Sequence, residues 1–178
     1  MITLLKNPTA AISDVTFQPL TWANPTNCFT SGFNNKADTT PTVAGNGNIV
    51  DLEVYLQTGS IVTTGNNKAD TITAWSTTDS YISYGGQDDK WGATLTPAIV
   101  NATGFGVGVA CTVQTSGSAR LYASSFLFNI PTSAVIRGIK VDVEKSKLYT
   151  SRGNTTIARI NHIRMTIYYG FPHLHHFE

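Results

Sequence analysis

Charge is scarce in this chain: Asp, Glu, Lys and Arg together make up 13% of it and leave a net charge of +1. So thin a charge argues against a protein that works by electrostatic attraction to nucleic acid or anionic lipid. No apolar run approaches the roughly 20 residues that a membrane-spanning helix requires. The opening Met1-Ile-Thr-Leu-Leu-Lys6 has too short an apolar run and no basic leader, so no signal peptide is expected, and synthesis in a cytoplasm is. Cysteine is nearly absent. Cys28 and Cys111 lie far apart and read as two separate small core residues, with a single disulfide as the alternative. Asn101-Ala-Thr103 and Asn154-Thr-Thr156 match the glycosylation sequon, which carries no meaning without a secretory route. Long runs of Glu, Lys and Leu are missing, which leaves little material for helices.

What is present is Thr, Ser, Asn and Gly, the composition of a turn-rich all-β protein. A length of 178 residues suits one domain able to bury a core. The clearest pattern lies between Phe126 and Tyr169. Ile139, Val141 and Val143 alternate with Lys140, Asp142 and Glu144, the period of a half-buried strand. Ile163, Met165, Ile167 and Tyr169 alternate with Arg164, Thr166 and Tyr168 in the same way. Ile160 falls on the opposite parity from Ile163, and a bulge near Asn161 reconciles the two halves. These two runs, joined by a polar connection, are expected to be long antiparallel strands at the centre of a sandwich.

The remaining chain fits around that pair. Residues 1–21 read as an extended arm broken by Pro8 and Pro19, with Val15-Thr-Phe-Gln18 at best an edge strand. Trp22 to Asn27 reads as an ordered turn and residues 31–48 as a surface loop. Asp51 to Leu56 alternates, with Leu52, Val54 and Leu56 inward. Asn34-Asn-Lys-Ala-Asp38 recurs as Asn66-Asn-Lys-Ala-Asp70; a duplicated hairpin and coincidence in Asn-rich turns both account for it. Pro97 to Asn101 is expected to form one helical turn capped by Thr96. Phe105 to Val113 follows as a strand whose glycines imply close backbone approach, and Ala119 to Tyr122 leads on from it. The sum is an all-β antiparallel sandwich, jelly-roll-like, of about eight strands with at most one short helical turn. The expected layout is an arm over 1–21, the sandwich over 22–170 and a tail over 171–178.

Several segments resemble one known group of proteins. They are Trp22-x-Asn24, Tyr81-x-x-Tyr-Gly-Gly-x-x-Asp-x-Trp-Gly-x-x-Leu-Thr-Pro97 and Asn101-x-x-x-Phe-Gly-Val107. Phe128-x-Ile-Pro-x-x-Ala-x-Ile-x-Gly-Ile-x-Val-x-Val-Glu144 and Asn161-His-Ile-Arg-Met-Thr-Ile-Tyr-Tyr169 complete the set. Together they resemble β-sandwich modules of bacteriophage virion proteins and phage-derived genes. The Ile-Pro-x-x-Ala-x-Ile-x-Gly-Ile segment follows the Trp-Gly-x-x-x-Thr-Pro segment here, whereas in that group it precedes it, which implies a permuted relative. The resemblance implies a non-enzymatic structural role in the virion, as a head decoration, fibre or tail component. The implied partners are copies of itself, a trimer foremost, and other virion proteins; no cofactor is implied.

Chemistry-bearing residues are few. Adjacent Asp88 and Asp89 point to different sides, whereas a glycosidase needs carboxylates facing across a sugar. No nucleophile-elbow pattern surrounds any Ser, and His162, at the phase slip, reads as a structural histidine. Arg152, Arg159 and Arg164 make no dense basic patch. In the tail, His173 and His175 could contribute imidazoles to a metal on a three-fold axis, an arrangement that resembles the histidine pairs of some trimeric phage spike tips. The plainer reading packs the tail on a neighbouring subunit through Phe171, Leu174 and Phe177, with no metal. Trp75, Tyr81, Tyr84, Asp88 and Trp91 are the candidate ligand-binding set, since aromatic faces beside a carboxylate suit a host-surface glycan or receptor. The competing reading has Trp91 and Tyr84 pinning the loop onto the core.

Overall fold

The computed structural model describes residues 1–14, 21–29, 36–40, 43–44, 47–59, 62–113, 116–150 and 155–172. Its elements are β1 (Ile2–Lys6), β2 (Ala10–Asp14), β3 (Thr21–Ala23), a 3-10 turn (Pro25–Phe29), β4 (Ala37–Thr40) and β5 (Val43–Ala44). Then come β6 (Ile49–Thr58), β7 (Val62–Thr64), β8 (Ser80–Gly85), α1 (Pro97–Asn101) and β9 (Gly106–Val113). β10 (Ser116–Gly117), β11 (Arg120–Ser124), β12 (Val135–Thr150) and β13 (Thr155–Gly170) complete the chain.

Two antiparallel sheets form the sandwich. The seven-stranded sheet runs β3-β4-β13-β12-β8, with β1 and β5 also pairing along β13. The six-stranded sheet runs β2-β11-β9-β6-β7, with β10 folded back on β9. At the centre, β12 and β13 pair along their length, and the strands reach well into the segment read from sequence as a polar connection. Ile139, Val141, Val143, Ile163, Met165 and Ile167 are fully buried. Each such side chain contributes about 1.5–3 kcal/mol relative to an exposed one.

Bulges set which residues face inward. Glu144 pairs with His162 and Lys145 with Ile160, so Asn161 is the extra residue, at the phase slip that the sequence shows. The bulge keeps both Ile160 and Ile163 in the core. On β12 the inward parity of Ile139, Val141 and Val143 continues to Lys145, which is buried. A further bulge lies in β6. Asp51 pairs with Cys111 and Glu53 with Ala110, leaving Leu52 between them. Leu52 is therefore half-buried and not an inward residue; Ile49 and Asp51 take the core side before it, Val54 and Leu56 after it.

Other expectations also change. The arm over residues 1–21 supplies one strand to each sheet: β1 pairs with β13, and β2 with β11. Val15 to Gln18 lies outside the described residues. Part of the 31–48 loop is strand, because β4 and β5 line the same edge of β13 as β1. Ala37 and Asp38 sit in β4 whereas Ala69 and Asp70 belong to a loop, so the repeated motif does not mark a repeated hairpin. The helical turn stands where expected, with Thr96 Oγ1 accepting from the Ile99 N–H at 3.3 Å. Gly106 meets the Ala123 carbonyl so closely that a Cβ would lie 2.0 Å from it. Cys28 and Cys111 are both free and buried, and burial pushes each thiol up to about 12.

Candidate functional site

A buried polar cluster joins the two sheets. Asp51 of β6 projects from the six-stranded sheet and Lys145 of β12 from the seven-stranded one. The Lys145 ammonium donates to Asp51 Oδ1 and to the Tyr84 hydroxyl. Tyr84 in turn donates to Asp51 Oδ2 at 2.7 Å, and Trp75 Nε1 donates to Oδ1 at 2.8 Å. The Asp70 backbone N–H adds a bond to Oδ2 at 3.1 Å. The ammonium also lies 4.7 Å from the Trp75 ring centre and 5.2 Å from that of Tyr84, within cation–π range. Burial pulls the Lys145 pKa below the ordinary lysine range, against the Asp51 carboxylate, which pulls the other way. Burial, then the charge of Asp51, pushes the Tyr84 hydroxyl far up. A cavity of about 230 Å³ adjoins the cluster, lined by Asp70, Thr73, Trp75, Ser80, Ile82 and Lys145.

The aromatic set proposed from sequence is divided among three places. Trp75 and Tyr84 are buried in this cluster. Trp91 is fully buried elsewhere, with its indole N–H on the Ile139 carbonyl at 3.0 Å and its backbone N–H on Asp89 Oδ1 at 2.7 Å. Trp75 and Trp91 pin loops to the core, and Trp75 also lines the cavity beside the cluster. Tyr81 is partly exposed on the outer face of the sheet. Its hydroxyl meets His162 Nδ1 at 2.6 Å, and the Arg164 guanidinium lies 4.4 Å from its ring centre. Asp88 is exposed and lines a groove of about 300 Å³ with Met1, Arg137, Tyr169, Gly170 and Phe171.

His162 is held on both ring nitrogens. Asn7 Oδ1 only accepts, so Nε2 carries the proton toward it at 3.2 Å and Nδ1 accepts from Tyr81. Burial, helped by the Arg164 charge and opposed by Glu144, lowers its pKa. Beside it, Asp142 accepts from Ser83 at 2.6 Å and pairs with Arg164 at 3.0 Å and Lys140 at 3.2 Å. Arg159 pairs with Asp38 at 3.2 Å, and Asp89 pairs with Lys68 at 2.7 Å. Asn101, of the first sequon, bonds the Ile130 backbone through both atoms of its amide. Among the described residues no group of three or more His, Cys, Asp or Glu could hold a metal ion; His173 and His175 lie outside them.

Sequence reasoning missed Asp51 and Lys145. Lys145 was one step from view, since it continues the alternation that ends at Glu144 in the sequence reading. Asp51 was concealed by the bulge at Leu52, which moves it to the core side of β6. Comparison of the chain with protein-family models, with curated proteins and with solved structures gives no match.

Proposed function

We propose that this chain is a non-enzymatic structural component of a bacteriophage particle, acting by association with copies of itself and with other virion proteins. One observation carries the reading. The groove at the end of the sandwich is lined by the exposed apolar side chains Met1 and Phe171, together with Asp88, Arg137, Tyr169 and Gly170. Phe171 stands edge-on to Tyr169, with ring centres 6.5 Å apart. The chain leaves the sandwich at this groove, and the segment beyond it carries Leu174 and Phe177. The tail of a neighbouring copy is the proposed occupant of this groove, although residues 173–178 lie outside the described residues. Such a contact repeats around an axis and builds a trimer or a lattice.

The likeness to virion sandwich modules supports the same reading, and the residues that carry it have fold-holding positions. Gly85 lies under the Trp91 indole, Trp91 anchors to Ile139, and the Asn161 side chain donates to Glu144 at 2.6 Å across the bulge. Cross-linking a mixture of isotopically light and heavy chains with an amine-reactive reagent tests the proposal. Mixed-isotope links from the Met1 amine or Lys90 to a second copy are expected. Links confined to single chains at every concentration would refute it.

A further inference from the structure

Lys145 and Asp51 come from opposite sheets, and their side chains are 5% and 0% exposed. An amine and a carboxyl held in contact away from water are the two halves of an amide. We propose that Lys145 and Asp51 condense autocatalytically into a side-chain amide that staples the two sheets of the sandwich together.

The surroundings supply what the reaction needs. A buried ion pair recovers little net energy, because the attraction in the interior must first offset the desolvation of both charges. Condensation removes both charges and leaves a neutral group. Groups fixed in contact react at effective concentrations of about 10⁵–10⁸ M, which favours intramolecular closure over hydrolysis by bulk water. The nucleophile must be the neutral amine, and burial disfavours the charged form of Lys145. The Tyr84 hydroxyl touches both Lys145 Nζ and Asp51 Oδ2, so it can pass a proton from one to the other. Trp75 Nε1, 2.8 Å from Oδ1, polarises the carbonyl that remains and stabilises the negative charge that grows on it.

The step balances without any further reagent. One proton leaves the ammonium through Tyr84 to Oδ2. Nζ attacks Cγ, and the Nζ–Cγ bond forms. A second proton from Nζ joins Oδ2, the Cγ–Oδ2 bond breaks, and the oxygen departs as water into the cavity beside Lys145. The third proton stays on the amide nitrogen, and ammonium plus carboxylate become amide plus water.

The test is the intact mass of the purified full chain under denaturing conditions. The wild type is expected one water lighter than its sequence, with tandem spectra showing a branched peptide that joins residue 51 to residue 145. Lys145→Met and Asp51→Ala, prepared in parallel, are expected at their full sequence masses. A wild-type chain at full mass, with Lys145 open to acetylation once denatured, overturns the proposal. A missing water traced to any other pair overturns it too. The wild-type measurement decides even where a variant fails to fold.

Discussion

Asp51 and Lys145 face each other across the interior of the sandwich, one from each sheet, with Tyr84 and Trp75 closing the contact. Removing one partner leaves the other buried alone. Asp51→Ala is expected to lower unfolding stability by about 3–5 kcal/mol. The pair Asp51→Leu with Lys145→Met leaves no buried charge without its partner and is expected to recover most of the loss seen in the single variant. Urea unfolding of the three chains measures the difference. A single variant as stable as wild type would contradict the burial of the cluster.

Gly85 adopts φ +71°, and a Cβ there would lie 2.3 Å from the Ile139 carbonyl and 2.4 Å from Trp91 Nε1. Both the conformation and the space exclude a side chain. Gly85→Ala is expected to cost about 1–3 kcal/mol through overpacking. At neighbouring Gly86 a Cβ would meet nothing within 4 Å. Gly86→Ala is expected to stay within about 0.5 kcal/mol of wild type. Thermal melts followed by tryptophan fluorescence separate the two variants, and equal melting temperatures would contradict the packing of Trp91.

The pKa of His162 is lowered in the fold, so the unfolded chain binds its proton more readily than the folded one. Stability attributable to this residue is full above the ordinary histidine value of 6.5 and falls as pH drops through 6.5 toward the folded value. Protonation also places a proton on Nδ1, where the Tyr81 hydroxyl donates in the neutral state. Melting temperature is expected to decline on acidification through this window, and His162→Gln to flatten that decline. An unchanged slope in the variant would remove His162 from the effect.

Cys28 and Cys111 are buried thiols, each pushed up to about 12. Thiolate, the reactive form, is scarce at neutral pH. Neither residue is expected to react with a maleimide in the native protein, and both are expected to react after denaturation without reductant. Rapid native labelling would contradict their burial, and failure to label after denaturation would indicate a disulfide.

Much of the architecture was legible because period-two alternation is a direct imprint of a sheet with one buried face. Ile139 to Val143, Ile163 to Ile167, the bulge at Asn161 and the Thr96 cap all follow from local pattern. Leu52 was misplaced because a bulge reverses parity without leaving a mark in composition. The strands of residues 2–6 and 10–14 were hidden because edge pairing depends on the partner strand more than on the paired sequence. The aromatics of the candidate ligand set are spread over three places for a related reason. Spacing shows that Trp75, Tyr84 and Trp91 are near one another in the chain, but whether a ring faces inward depends on long-range contacts such as Trp91 with Ile139 and Trp75 with Asp51.

Self-association through the groove beside Phe171 is tested most directly by sedimentation velocity of the full chain and of Arg137→Asp combined with Phe171→Asp, two residues that line it. Both positions are exposed, so the fold is expected to tolerate the change. The wild-type chain is expected to sediment as a defined oligomer, a trimer foremost, and the variant as a folded monomer. A wild-type chain that stays monomeric at the highest concentration, or a variant that assembles unchanged, would contradict the groove as the assembly contact.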